Sequence, residues 1–296
     1  MRGKRALQIS RVALFLQVIF VAAFFIVTLL NSSLFDKSVS YDLVIANGRV
    51  IDPETALDAQ RNIGIRDGTI VEISEQPLTG TAAIDAAGQV VAPGFIDIHS
   101  HTPTLLGQHF NLLDGITTQL DLEAGSFPIS FFGEHFRDGA QINYGSSVGH
   151  FAVRIKVIEG IDQPYIFAGK QTVVMGSAAW MQPATAEQIE QMRVLINQGI
   201  DQGGLGIGVL LDYMTEAVSD AELRMLFEVA AAREVPIHVH VRRGYTGDPA
   251  GLVEVIELAK STGAPLFVCH ITHNAMGRIG DWLAMIDQAN REGANI

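Results

Sequence analysis

The sequence predicts an α/β fold, a (β/α)8 TIM barrel with about six βα units in view, preceded by a small β-sandwich part. Three observations carry that prediction. From Gly94 onward, short apolar runs alternate with stretches of helical periodicity, the pattern of parallel strands joined by helical crossovers. Before Gly94 the helical period is absent, and short alternating runs are split by turn-forming dipeptides. The residues able to do chemistry fall at the C-terminal ends of the strands so assigned, where such barrels keep their sites.

Composition narrows the function. The 296 residues suffice for one large domain or two. They are 48% apolar and 18% charged, below the roughly 25% charge of an average globular chain, which suits a large buried core. A net charge of −12 argues against nucleic acid, since neutralising phosphates needs clustered Lys and Arg. The single cysteine, Cys269, forbids an internal disulfide and leaves the redox compartment open. Nine histidines are enough to build a metal site.

Residues 1–40 read as a targeting segment and linker. Arg2, Lys4, Arg5 and Arg11 precede a nearly unbroken apolar run over 12–30. That run just spans a hydrocarbon core of ~30 Å, and the cations hold the N-terminus in the cytoplasm. The expectation is an uncleaved signal anchor, with the remainder exported and facing the periplasm or the outside. Secretion after signal-peptide cleavage is the rival, weakened by a poor cleavage signal at Asn31-Ser32-Ser33.

Residues 41–93 form the next block. The runs Leu43-Val44-Ile45, Arg49-Val50-Ile51, Ile63-Gly64-Ile65 and Ile70-Val71-Glu72-Ile73 are separated by Asn47-Gly48, Asp52-Pro53 and Asp67-Gly68. They predict a small antiparallel β unit, the N-terminal part of a composite sandwich.

Residues 94–296 are the barrel block. Strands are expected at 94–99, 115–122, 145–150, 204–211, 235–241 and 264–271. Helices are expected at 185–202, 219–233, 249–262 and 279–292. Ser219 with Glu222 makes a capping box, and Gly263 stands where a helix C-cap belongs.

Candidate ligands follow from strand alternation. His99 and His101 lie one pleat repeat apart where strand one runs out, so they face the same way. Imidazole suits zinc and similar metals; two core histidines are the plainer alternative. On strand two, Glu123 shares a face with Gln119 and Asp121 and lies nearest the loop, with Asp121 as the second choice. On strand five His240 is the ligand candidate, and His238 lies one layer deeper. Strand six ends at His270, beside a buried, inert Cys269. His273 follows in a loop.

Four histidines and one carboxylate, drawn from the ends of strands one, two, five and six, resemble the amidohydrolase superfamily. Asn47-Gly48-Arg49-Val50-Ile51-Asp52 and Ala92-Pro93-Gly94-Phe95-Ile96-Asp97 strengthen the resemblance. Gly115-Ile116-Thr117-Thr118, Leu122-Glu123-Ala124-Gly125, Gly149-His150 with Arg154, and His240-Val241-Arg242 place it nearest the N-acyl-D-amino-acid deacylases, the N-acyl-D-glutamate group in particular. The resemblance implies one or two Zn(2+) ions on His99, His101, Glu123, His240 and His270. It also implies hydrolysis of a linear amide C–N bond in a small N-acylated amino acid by metal-activated water. Arg154, Arg242 and His150 become substrate-binding candidates, with ordinary surface charge the plainer reading of the arginines.

Strand four, Leu205 to Asp212, lacks the lysine that bridges the metals in dihydroorotases and hydantoinases, and Ala124 replaces the cysteine of some D-aminoacylases. Glu123 is then the bridge. The family's general base, an aspartate at the end of strand eight, is expected beyond Ile296, so the chain reads as a fragment or a truncated product. Two unpaired sheet edges would leave 41–296 folding poorly alone and open to homo-oligomerisation. A cyclic amide hydrolase, an aminohydrolase and an inactive metal-binding barrel are the alternatives.

Overall fold

The computed structural model describes residues 40–134, 136–166, 176–214, 216–242 and 246–296. The apolar run over 12–30 lies outside the described residues, among which no helix is long and apolar enough to cross a membrane. The chain divides at Pro93/Gly94 into two compact units.

The first unit is one sheet of β1 (Tyr41–Asp52), β2 (Leu57–Arg66), β3 (Thr69–Ser74), β4 (Gly80–Asp85) and β5 (Val90–Val91). The order is β3-β2-β1-β4, with β5 also on β1. The sheet is mixed rather than antiparallel throughout. β1, β2 and β3 pair antiparallel, but β4 and β5 run parallel to β1. The cause is the link over 75–79, which carries the chain from one edge of the sheet to the other instead of closing a hairpin. Asp67-Gly68 does form a hairpin turn, with φ of 50° and 72°. Asn47-Gly48 does not. There β1 runs on through a register shift between Ile45 and Gly48, and Asn47 takes φ 61°.

The second unit runs β6 (Phe95–Asp97), α1 (Leu105–Leu113), β7 (Ile116–Ser126), α2 (Ser130–Glu134), β8 (Asn143–Gly149), α3 (His150–Glu159), α4 (Ala178–Met181) and α5 (Ala186–Asp201). It continues with β9 (Ile207–Leu210), α6 (Asp220–Ala232), β10 (Ile237–His240), α7 (Ala250–Thr262), β11 (Leu266–Val268), α8 (Ile271–Asn274) and α9 (Ile279–Arg291). Its six strands pair in parallel and in sequence order from β6 to β11, the wall of a barrel.

Strand alternation sorts the side chains of that wall. Ile207, Val209, Ile237 and Val239 turn outward, into one apolar cluster with Leu223, Leu226 and Phe227 of α6, Val255 of α7 and Trp282 of α9. Each such side chain contributes about 1.5–3 kcal/mol when fully buried. The opposite face carries His238 and His240, level with Gly208 and Leu210 of β9.

Three local expectations change. Helix α3 starts at His150, directly off β8 at Gly149, so His150 opens a helix rather than ending a strand. Helix α1 was not anticipated, because its sequence LLGQHFNLL shows no clean apolar stripe; Thr104 caps it, accepting from the Gly107 N–H. The capping box on α6 is half made: Ser219 Oγ accepts from the Glu222 N–H, but the Glu222 carboxylate turns inward. Thr185 and Gln188 form the reciprocal box on α5 instead.

Candidate metal centre

The site begins with an irregularity in β7. Between Asp121 and Ser126 its register with β8 shifts, so the strand swells just where Glu123 lies. Glycines make room for the bulge. Gly125 holds φ 65°, and a Cβ on Gly149 would meet the Ala124 carbonyl oxygen at 2.6 Å. A Cβ on Gly208 would lie 2.3 Å from the Glu123 carbonyl oxygen. The effect is to send the Glu123 side chain, 4% exposed, to the centre of the strand ends.

Four imidazoles meet it there, two on each oxygen. Oε2 lies 3.0 Å from His101 Nε2 and 3.3 Å from His99 Nε2. Oε1 lies 2.7 Å from His270 Nε2 and 3.0 Å from His240 Nδ1. The rings crowd together, with centroids 4.9 Å apart for His99 and His101 and 4.4 Å for His240 and His270. Strand ends supply these residues less directly than alternation implies. β6 stops at Asp97, and His99 continues only as an isolated bridge to Asp121. β11 stops at Val268, and His270 takes a left-handed backbone, φ 34°. Strain of that kind in a non-glycine residue marks sites that the surrounding structure holds on purpose.

Two neighbours orient the imidazoles. The His101 Nδ1–H donates to Asp121 Oδ2 at 2.9 Å, and the His270 Nδ1–H donates to Asn274 Oδ1 at 2.6 Å. Both rings therefore present Nε2 to Glu123. Asp121, the second-choice ligand, instead sits behind His101. It also accepts from the Tyr165 hydroxyl at 2.6 Å and from the Ala124 and Gly125 N–H groups at 3.1 and 3.4 Å.

Electrostatics follow from this packing. Burial works against the Glu123 carboxylate, but hydrogen bonds from the four histidines outweigh it and hold its pKa far below the usual range. Burial also opposes charge on His101, yet Asp121 and Glu123 together push it up to about 10. His270 is raised by Glu123 and Asn274 against the same burial. His238, buried deeper and near the His99 charge, falls to about 4. Burial pushes the Cys269 thiol well up, with the Glu123 and Asp121 charges adding to it, which keeps it inert.

The donor set passes the test for a divalent cation. His99, His101 and Glu123 form one group of converging ligand atoms, and Glu123, His240 and His270 a second. The carboxylate is shared, one oxygen to each group, and imidazole nitrogen with carboxylate oxygen suits zinc. All five residues read from the sequence as ligands meet here.

Known proteins are similar to this chain over most of its length. No protein-family model matches the chain. N-acyl-D-glutamate deacylase of Alcaligenes xylosoxydans xylosoxydans is 26% identical over 291 residues, which is 86% of this chain and 55% of that one. The D-aminoacylase of the same organism is 25% identical over 276 residues, 80% of this chain and 51% of that one. The crystal structure of N-acyl-D-glutamate deacylase from Bordetella bronchiseptica, complexed with zinc and a phosphonate inhibitor, superposes with a TM-score of 0.63 at 25% identity. It covers 86% of this chain and 57% of that one. The fold is that of an amidohydrolase. The chain spans about half the length of the curated relatives it matches.

Three residues read as substrate contacts have other employment in this barrel. Arg154 is fully buried: its Nη1 donates to Glu222 Oε2, its Nε to the Ala179 carbonyl, and its Nη2 to the carbonyls of Gln182 and Ala217. The His150 Nε2 meets Glu222 Oε1 at 2.7 Å, also without exposure. These two tie α3 to α6 and carry no open face for a substrate. Arg242 donates to Glu254 at 2.9 Å and to the Val218 carbonyl at 2.7 Å.

Sequence reasoning also missed residues that the site contains. Tyr165 and Asp212, whose Oδ2 lies 3.8 Å from His240 Nε2, come from a loop and a short turn, and Asn274 from the four-residue helix α8, where no periodicity points to them. Asp212 alone had a signal, since it follows the end of strand four.

Proposed function

We propose that the barrel is the metal-binding part of a hydrolase that removes the acyl group from N-acyl-D-amino acids, acidic ones such as N-acyl-D-glutamate above all. The observation that carries this reading is Glu123, each of whose oxygens serves its own pair of histidines. His99, His101, His240, His270 and Glu123 would hold one or two Zn(2+) ions there. Zinc held there would supply Lewis acidity, lowering the pKa of a water toward neutrality and polarising a carbonyl oxygen.

The chain's own residues would hold and orient that centre. His99 and His101 hold one side of the centre, His240 and His270 the other, and Glu123 fixes the spacing between them. Asp121 and Asn274 hold the His101 and His270 tautomers so that Nε2 faces inward. Residues 12–30 are proposed as a membrane anchor that places the barrel outside the cytoplasm. Protease treatment of intact cells checks this: loss of the barrel only after the outer barriers are opened fits, and full protection inside intact spheroplasts does not.

The substrate reading is tested by a panel of N-acetyl-D-glutamate, neutral N-acetyl-D-amino acids, a hydantoin and an aminohydrolase substrate. In a chain that also carries the strand-eight aspartate, the expected outcome is release of acetate from the D-glutamate derivative, stopped by a chelator and restored by zinc. Zinc-loaded protein that opens only the cyclic amide would contradict the deacylase reading.

A further inference from the structure

Asp121 is completely buried, and the donors around it fill both of its oxygens. Oδ1 takes the backbone N–H groups of Ala124 and Gly125, the turn that ends the bulge presenting Glu123. Oδ2 takes the Tyr165 hydroxyl and the His101 Nδ1–H. A carboxylate offers about four acceptor positions, so each is spent. Tyr165 is itself fixed: it is 1% exposed, stacks on Phe131 at 6.4 Å and meets Phe132 edge-on at 6.2 Å. The Pro164 carbonyl before it accepts from the Phe127 N–H at 2.9 Å. The arrangement is one-sided. On the other half of the centre the partner behind His270 is the neutral amide of Asn274.

From these contacts we infer that Tyr165 and Asp121 are positioning residues, a relay that locks His101 with Nε2 toward Glu123 and so governs metal binding at the His99/His101 half of the centre. The relay rests on the metal reading proposed above. Its logic is geometric. Through Oδ1, Asp121 holds the backbone that aims Glu123, and through Oδ2 it holds the ring that meets Glu123 from the other side. Tyr165 keeps Oδ2 from turning away. Burial, together with the Asp121 charge, holds the phenol protonated and therefore a donor. Removing the hydroxyl frees one acceptor position and loosens the ring; removing the carboxylate charge reverses the donor–acceptor fit with His101.

The test uses the full chain, loaded with zinc and titrated against a competing chelator. Asp121→Asn is expected to weaken one zinc site about 10- to 100-fold, the usual cost of losing a partner behind a ligand. Tyr165→Phe, which keeps the ring packing, is expected to weaken the same site less, by roughly 10-fold at most, and to leave the second site unchanged. Nitrogen-15 shifts of the zinc-loaded parent supply a second readout should a variant fail to fold: His101 is expected to carry a proton on Nδ1 and zinc on Nε2. The relay is overturned if both variants bind zinc like the parent, or if His101 binds through Nδ1. A parent that takes up no zinc overturns the metal reading itself and the relay with it.

Discussion

Two buried carboxylates, Glu123 and Glu222, set the chemistry at the scale of single residues. Glu123 gathers imidazoles at the strand ends, while Glu222 pairs with Arg154 and His150 between helices. Burial works to raise the Glu222 pKa, but His150 and Arg154 outweigh it and hold it below the usual carboxylate range. A depressed carboxyl contributes stability that is complete above its unfolded pKa and lost as pH falls through the folded one. Urea unfolding should therefore show stability falling below about pH 4.5, and Glu222→Gln should flatten that fall. The same variant strands the Arg154 charge and should cost about 3–5 kcal/mol at neutral pH. A loss under about 1 kcal/mol would mean that the pair is solvated after all. His240 was legible at this scale because it ends a regular strand, β10, where alternation fixes the face it shares with His238. Arg154 was not. A lone arginine after a strand reads the same whether it faces solvent or core, and its partner Glu222 lies 68 residues further on.

Among elements, β7 decides the site. Its bulge aims Glu123, and the bulge fits because Gly149 of β8 and Gly208 of β9 lie beside it. Gly208→Ala pushes a methyl group into the Glu123 carbonyl and the Ser147 hydroxyl. It should cost about 1–3 kcal/mol of stability. It should also weaken zinc binding at least as much as losing a partner behind a ligand, about 10-fold or more, measured by chelator competition. Parent-like affinity with lowered stability would show that the bulge tolerates displacement. Strand order and most helices were readable from alternating periods. Strand ends were not, since His99 and His270 reach the centre from a lone bridge and a left-handed turn that no period describes. The β1–β4 pairing was hidden for a similar reason: parallel neighbours depend on where a link crosses, not on the strands it joins.

At the scale of the whole barrel unit, strand order brings the ligands together. Six parallel strands in sequence order bring residues 99 and 270 to one point, although they enter from opposite edges of the sheet. The account's central claim is that Glu123 bridges metal ions held by this converging set. Metal content of the purified full chain, set beside that of Glu123→Ala, tests it most directly. The account predicts one to two equivalents of zinc in the parent and its loss in the variant. It also predicts a zinc-dependent rise in melting temperature for the parent alone, worth about 2.7 kcal/mol when free zinc stands at 100 times its Kd. A parent holding less than about half an equivalent of any transition metal, or a variant that keeps the parent's content and stability, would contradict the claim.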